Sequence, residues 1–218
     1  MSSYARQRAH MLDHDLRPRI QDPRVLDAMG QVPRECFVPE DVRERAYGDH
    51  PLPIGLDQTI SQPFVVAFMA AAASLTGSEK VLEVGAGSGY GAAVLGRLAR
   101  EVWTVERRAP LAEQARERLR RLNFDNVHVV TADGTLGLPD EAPFDAIVVT
   151  AGAAIVPHAF LEQLALGGRL VLPVGRCDDT QRMYRFTQRG SGFSLDELGP
   201  FRFVPLVFGA DEAPTRRA

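Results

Sequence analysis

LEVGAGSGY, Leu82 to Tyr90, joins a short apolar run, KVLEV (80–84), to a segment of helical character, YGAAVLGRLAR (90–100). Three alternating glycines after a strand let the chain turn sharply and let a ligand approach the backbone closely. In an open α/β sheet the first such turn lies at the carboxyl edge of the strands, where ligands bind. The spacing is G-x-G-x-G, which departs from the G-x-G-x-x-G of dinucleotide dehydrogenases.

Working downstream, strand and helix patterns alternate. EVWTVE reads as a strand, APLAEQARERLRRL as an amphipathic helix, NVHVVTAD and FDAIVVTA as strands, PHAFLEQLAL as a helix and GRLVLPVG as a strand. QRMYRFTQRG and FRFVPLVFG are expected to add two more strands, joined by a Gly/Ser-rich turn. Alternation of this kind predicts βαβ units, a mostly parallel sheet and helices on both faces.

Upstream of the glycine turn the grammar differs. Up to about residue 50 the pattern is short helices, one opened by Asp22 as N-cap with Pro23 in its first position. FVVAFMAAAASL (64–75) is the longest apolar run, well short of the roughly 20 residues of a membrane span, and reads as a buried helix. Between these lies PLPIGLDQTISQP (51–63), whose prolines exclude a regular helix or a central strand. It reads as a stiff, polar loop.

Composition narrows the class. With 45% hydrophobic and 24% charged residues in 218, a packed core is expected. A formal net charge of −3 argues against a nucleic-acid footprint, which needs a basic face. Cys36 and Cys177 are too few and too far apart for a disulfide framework or a metal site, and read as free thiols. The N-terminal residues lack the apolar segment of a secretory signal, so a cytoplasmic location is expected. The expected division is a helical cap and substrate loop (1–60), a core (61–210) and a frayed tail (211–218), together one compact domain.

Three acids fall at successive strand ends. Glu83 precedes the glycines, Glu106 ends the next strand and can accept ribose hydroxyls, and Asp133 ends the third and can meet an adenine amino group. Carboxylates at all three places suit a positively charged nucleoside without phosphates. The arrangement resembles the S-adenosylmethionine-dependent methyltransferases. The expected cofactor contacts are Glu83, Gly85, Gly87, Ser88, Gly89, Glu106, Asp133 and Gly134, with S-adenosyl-L-methionine as cofactor and no metal.

The resemblance sharpens in DPRVLDAMGQVPRECFVPE, PLPIGLDQTISQPFVVAFM, VLEVGAGSGYGAAVL, APFDAIVVTAGA, GGRLVLPVG and RFVPLV, which look like the protein-L-isoaspartate O-methyltransferase family over about Arg17 to Phe208. That family implies a doubly wound, mostly parallel seven-stranded methyltransferase (Rossmann-like) sheet with an N-terminal helical extension. It also implies methyl esterification of the α-carboxylate of L-isoaspartyl residues in damaged proteins and peptides. The ester then falls back to a succinimide, and hydrolysis returns some normal aspartate. No nucleic-acid or membrane partner and a monomeric state are expected.

The 51–63 loop can then be read chemically. A carboxylate nucleophile is already ionised at pH 7 and needs no strong base. What it needs is to be held in line with the methyl carbon, about 3 to 3.5 Å away. Hydroxyl and amide donors from Gln58, Thr59 and Ser61, with the following helix N-terminus, suit a carboxylate clamp. The resemblance implies Ser61 as the active-site hydroxyl, with Thr59 beside it. Ser61 also stands where it could simply cap that helix. Asp57 occupies a position that is usually glycine in the family, Ala132 another glycine position, and Leu138 a tryptophan position. The competing readings are a relative that esterifies another peptide carboxylate and a cofactor-binding protein without turnover.

Overall fold

The computed structural model describes residues 3–176, 179–207 and 209. Cys177 and the expected tail at 211–218 lie outside them. The glycine turn follows β3 (Lys80–Val84) and precedes α4 (Tyr90–Gly96). Beyond it run β4 (Glu101–Glu106), α5 (Ala109–Arg121), β5 (Val127–Thr131), β6 (Phe144–Val149), α6 (His158–Glu162), β7 (Leu164–Val174), β8 (Gln181–Gln188) and β9 (Phe193–Phe201). Their order in the sheet is β5-β4-β3-β6-β7-β8-β9. The first five are parallel, while β8 and β9 are antiparallel additions. This is the expected doubly wound, mostly parallel seven-stranded sheet.

Two boundaries move. The helix expected over PHAFLEQLAL stops at Glu162, and Leu164 already begins β7. The chain can do this because Gly167 takes a left-handed turn (φ 79°) and the β6–β7 register shifts there. The final strand is FSLDELGPF, immediately after the Gly/Ser turn, rather than FRFVPLVFG. Residues after Phe201 leave the sheet and run back over the strand ends, with Pro205 bridged to Gly152.

Upstream, α1 (Ser3–His10) continues into a π-helical turn, Met11–Leu16, and α2 spans Pro23–Gln31. Asp22 caps α2 as expected, accepting from Arg24 N at 2.9 Å, with Pro23 at the first turn. The 51–63 segment carries more order than a loop: β1 (Leu52–Gly55) and β2 (Gln58–Ile60) form an antiparallel hairpin outside the main sheet. Its prolines are tolerated because the hairpin has only two strands and no neighbour on either edge. The apolar run then forms α3 (Pro63–Ala73).

Strand alternation sets the two faces of the sheet. On β3, Val81 belongs to an apolar cluster with Tyr90, Val94 and Leu95 of α4, Met69 of α3, Leu111 and Leu119 of α5, and the N-terminal helices through Met11 and Met29. Leu82 and Val84 face the other way, into a smaller cluster with Ile147, Leu170 and Phe160 of α6. The N-terminal extension thus buries itself on the same face as α3, α4 and α5. There it is held beside the carboxyl ends of the strands.

Candidate active site

A cavity of about 350 Å³ lies at that carboxyl edge, between the glycine turn, the hairpin and the ends of β4 and β6. The order β4-β3-β6 places the sheet's topological switch beside β3, which is where open α/β sheets bind ligands. Gly85, Gly87 and Gly89 all have positive φ (99°, 52° and 90°), so the turn that opens the cavity needs them. A side chain at Gly85 would also strike Thr150 Oγ1, at 2.4 Å from a Cβ. The turn is pinned to β4: Gly85 N donates to Val105 O at 2.8 Å, and Gly87 N to Glu106 Oε2 at 2.8 Å.

Glu106 lines the cavity, and its other oxygen accepts from Arg108 N at 2.9 Å. Each oxygen keeps a free lone pair, enough to receive two vicinal hydroxyls. Glu83 also lines the cavity, but from the apolar face, buried to 1% exposure. Only Gly91 leaves room for it, since a Cβ there would lie 2.2 Å from Glu83 Oε1. The sole hydrogen bond described for its carboxyl comes from Thr104 Oγ1, at 2.6 Å. Burial, against the Thr104 bond and helped by the charge of Glu106, pushes Glu83 up to about 8.

Gly85, Gly87, Ser88 and Gly134 stand in the cavity wall with the two glutamates. Gly89 and Asp133 do not. Gly89 is the N-cap of α4 and packs against Ala115 of α5, where a Cβ would come within 3.2 Å. Asp133 Oδ1 accepts from Thr135 N and Oγ1 at 2.9 and 2.7 Å, and Oδ2 from Gly209 N at 2.7 Å. Burial raises its pKa, but the Thr135 and Gly209 bonds and nearby Arg107 outweigh that and lower it. Asp133 therefore ties the C-terminal segment to the strand end instead of facing the cavity.

The hairpin forms the opposite wall through Asp57, Gln58, Thr59, Ile60 and Ser61, and Ile54 lies against Gly87. Its tip is Leu56–Asp57, both left-handed (φ 51° and 56°), as a two-residue hairpin loop requires. Gln58 Nε2 donates to Asp57 O at 3.0 Å, so the side chain stitches the tip. Among the described residues, the hydroxyls of Thr59 and Ser61 have no hydrogen-bond partner.

Ser61 does not cap α3. The N-cap is Gln62, Pro63 has no N–H, and the next amide, Phe64 N, donates to Asp49 Oδ1 at 2.9 Å. The same bond corrects the expectation that the α3 N-terminus shares in a carboxylate clamp, because its first amide is already taken.

Sequence reasoning missed several wall residues. Thr150 follows β6 and bonds the carbonyls of Val84 and Gly85 at 3.0 and 2.8 Å. Its position across the switch point from the glycine turn was a usable signal. Tyr90, Arg107 and Arg108 also line the cavity. Residues 204–207 close it from above, held by Gly152 N to Val204 O and Leu206 N to Gly152 O, each 2.8 Å. Nothing local in that segment marks it as a wall, because only the course of β8 and β9 brings it there.

No helix among the described residues is long and apolar enough to cross a membrane. Nor does any group of His, Cys, Asp or Glu among them gather as a metal site.

Comparison with known proteins bears on this geometry. Protein-L-isoaspartate O-methyltransferase 2 of Pelobacter propionicus is 55% identical over 189 residues, covering 86% of this chain and 84% of that one. The protein of the same name from Marinobacter nauticus is 54% identical over 202 residues, covering 92% of each. A solved protein-L-isoaspartate O-methyltransferase superposes with a TM-score of 0.79 at 28% identity, over 92% of this chain and 64% of that one. Another, described as a putative enzyme of this kind from Plasmodium falciparum in complex with S-adenosyl-L-homocysteine, superposes at 0.78 with 26% identity, over 95% and 99% of the two chains. The family model described as protein-L-isoaspartate(D-aspartate) O-methyltransferase matches residues 6–211. With the glycine turn, the two cavity glutamates and the free hydroxyls of the hairpin in one crevice, the chain belongs to the protein-L-isoaspartate(D-aspartate) O-methyltransferase family.

Proposed function

We propose that Ser61, assisted by Thr59, holds the α-carboxylate of an L-isoaspartyl residue while that carboxylate is methylated in the cavity. The chain is an S-adenosylmethionine-dependent protein-L-isoaspartate O-methyltransferase. When bound, the cofactor supplies an electrophilic methyl group on a cationic sulfur, so the nucleophile needs no base.

The residues fit that cofactor. Glu106 offers acceptors for ribose hydroxyls, the glycine turn brings its backbone to the cavity, and Gly134, whose missing Cβ leaves room for Val84, lines it beyond the end of β5. Gly89 and Asp133 support the pocket from behind its wall. Glu83 places a carboxyl against the same space, where a positive charge would favour its ionised form.

The observation that carries the proposal is the Ser61 hydroxyl: it stands in the cavity wall, takes no part in capping and has no described protein partner. A free hydroxyl can donate to a carboxylate without protonating it. Thr59, exposed on β2 two residues before Ser61, can do the same from the rim. We also read the protein as a cytoplasmic monomer without a nucleic-acid partner; its formal net charge of −3 supports the last of these.

The test is Ser61→Ala, assayed with paired peptides carrying isoaspartate or aspartate at one position. Wild-type protein is expected to methylate only the isoaspartyl peptide. The variant should lose about tenfold or more in kcat/KM, the loss of one charge-assisted bond. Its melting temperature should be unchanged, because Asp49 does the capping. Full activity in the variant would remove Ser61 from the reaction.

A further inference from the structure

Arg34 is the largest fully buried side chain described, at 0% exposure. Its Nε donates to Ala46 O at 2.7 Å and its Nη2 to Ser61 O at 2.8 Å. Its guanidinium carbon lies 4.8 Å from the centre of the Tyr90 ring. The remaining Nη1 is buried without a hydrogen-bond partner, and no carboxylate lies within ion-pair distance among the described residues. Asp49, an acid whose charge reaches it, spends its oxygens on Phe64 N and Arg19 Nη1.

A buried cation without a counter-ion is costly by several kcal/mol. Burial pulls the Arg34 pKa down, partly offset by Tyr90, Tyr47 and the charge of Asp49, but a guanidinium stays charged at neutral pH. Both residues it grips from behind, Ser61 and Tyr90, are walls of the cavity. The unbalanced charge therefore sits directly behind the place where the substrate carboxylate is read to bind.

We infer that Arg34 is a positioning and specificity-determining residue, which fixes Ser61 through its carbonyl and holds the substrate side of the cavity at positive potential. The substrate carboxylate is then the anion that balances the buried cation. This rests on the reading of Ser61 as the carboxylate-holding group. The same potential opposes a cationic sulfur in the cavity, and spares the neutral thioether of S-adenosylhomocysteine.

The experiment compares wild type, Arg34→Met and Arg34→Lys, with folding checked by circular dichroism and melting. In Arg34→Met, KM for an isoaspartyl peptide should rise about tenfold, the size of a unit charge acting over several ångströms at intermediate dielectric. The ratio of Kd for S-adenosylmethionine to Kd for S-adenosylhomocysteine should fall about threefold or more. Arg34→Lys, whose buried ammonium without a counter-ion gives up its proton far more readily than a guanidinium, should hold the wild-type ratio at low pH and fall towards the Arg34→Met value as pH rises. A loss of packing alone would not separate the two ligands by charge. A folded Arg34→Met protein with wild-type KM and ratio would overturn the inference.

Should Arg34→Met fail to fold, wild-type protein decides with two inhibitors: a non-methylated isoaspartyl peptide analogue and the same peptide with an α-carboxamide. At least about tenfold tighter binding of the carboxylate supports a positive wall, and equal binding overturns it. If wild-type protein methylates no isoaspartyl peptide, the functional reading has failed, while the ligand ratio still reports on Arg34.

Discussion

Glu83 shows how much one buried carboxyl can set. It stands on an apolar face of the sheet, on the side of Val81 and α4, with Thr104 as its partner. Its carboxyl ordinarily titrates near 4.5 and is pushed up to about 8 by burial, less the Thr104 bond and with Glu106 adding to it. The folded protein therefore binds an extra proton between those values. Stability without ligand should fall as pH rises through that window, and the loss is complete above about 8. Glu83→Gln should flatten this slope. A cationic ligand favours the ionised form, so S-adenosylmethionine binding at pH 7 should release up to about one proton in wild type and none in Glu83→Gln. Calorimetry in two buffers of different ionisation enthalpy measures this directly, and the same dependence of heat on buffer ionisation enthalpy in the two proteins would remove Glu83 from the binding equilibrium. The sequence showed Glu83, Glu106 and Asp133 as acids at strand ends, but not their different fates. Whether a carboxyl is buried, bonded to a turn or tied to a distant segment depends on Gly91, Gly87 and Gly209, and strand spacing carries none of that.

At the scale of elements, the hairpin and α3 act as one device. β1 and β2 place Thr59 and Ser61 on the cavity, and Asp49 fixes where α3 starts. Asp49 also pairs with Arg19 at 3.0 Å, linking the stretch after the first helical segment to the start of α3. Asp49→Ala should cost about 1 to 2 kcal/mol, the usual scale of a lost cap. It should also lower kcat/KM, because Ser61 lies two residues before the uncapped start of α3. Thermal melting and steady-state kinetics of the one variant check both effects. Asp57 sits at the hairpin tip with φ 56°, a conformation that glycine adopts without strain. Asp57→Gly should leave stability within about 0.5 kcal/mol, with relief of strain set against added unfolded-state entropy. It should lower KM for an isoaspartyl peptide about two- to tenfold by removing an acid from the wall proposed to take the substrate carboxylate. An unchanged KM would show that its charge is spent in solvent. The 51–63 segment was legible as rigid, polar and not helical, because proline chemistry is local. Its pairing into a hairpin was hidden by the same prolines, and the cap from Asp49 by its separation in the chain.

Across the whole molecule, the parallel half of the sheet and the antiparallel half have different tasks. The parallel strands β3, β4, β5 and β6 end in the glycine turn, Glu106, Gly134 and Thr150. These were almost all readable, since alternating strands and helices with acids at the ends leave few topologies. β8 and β9 add no side chain to the cavity wall. They return the chain so that residues 204–207 lie over the crevice, and Gly209 is gripped from both sides, donating to Asp133 Oδ2 at 2.7 Å and accepting from Arg107 Nε at 2.8 Å. A chain ending at Phe203 should therefore keep its sheet, because Phe203 N still bonds Gln181 Oε1 at 2.9 Å, yet lose one side of the cavity. Its affinity for S-adenosylhomocysteine should fall about tenfold or more, as expected when a largely enclosed ligand loses a wall. Asp133→Ala should reproduce a smaller part of that loss by loosening Gly209, which Arg107 still holds, while leaving residues 204–207 bonded to Gly152. Titration calorimetry on the two variants, with melting curves as control, orders the effects. Equal loss in both would place Asp133 in direct contact with the ligand, whereas no loss in the shortened chain would show that the segment beyond β9 covers the crevice without helping to hold what lies in it.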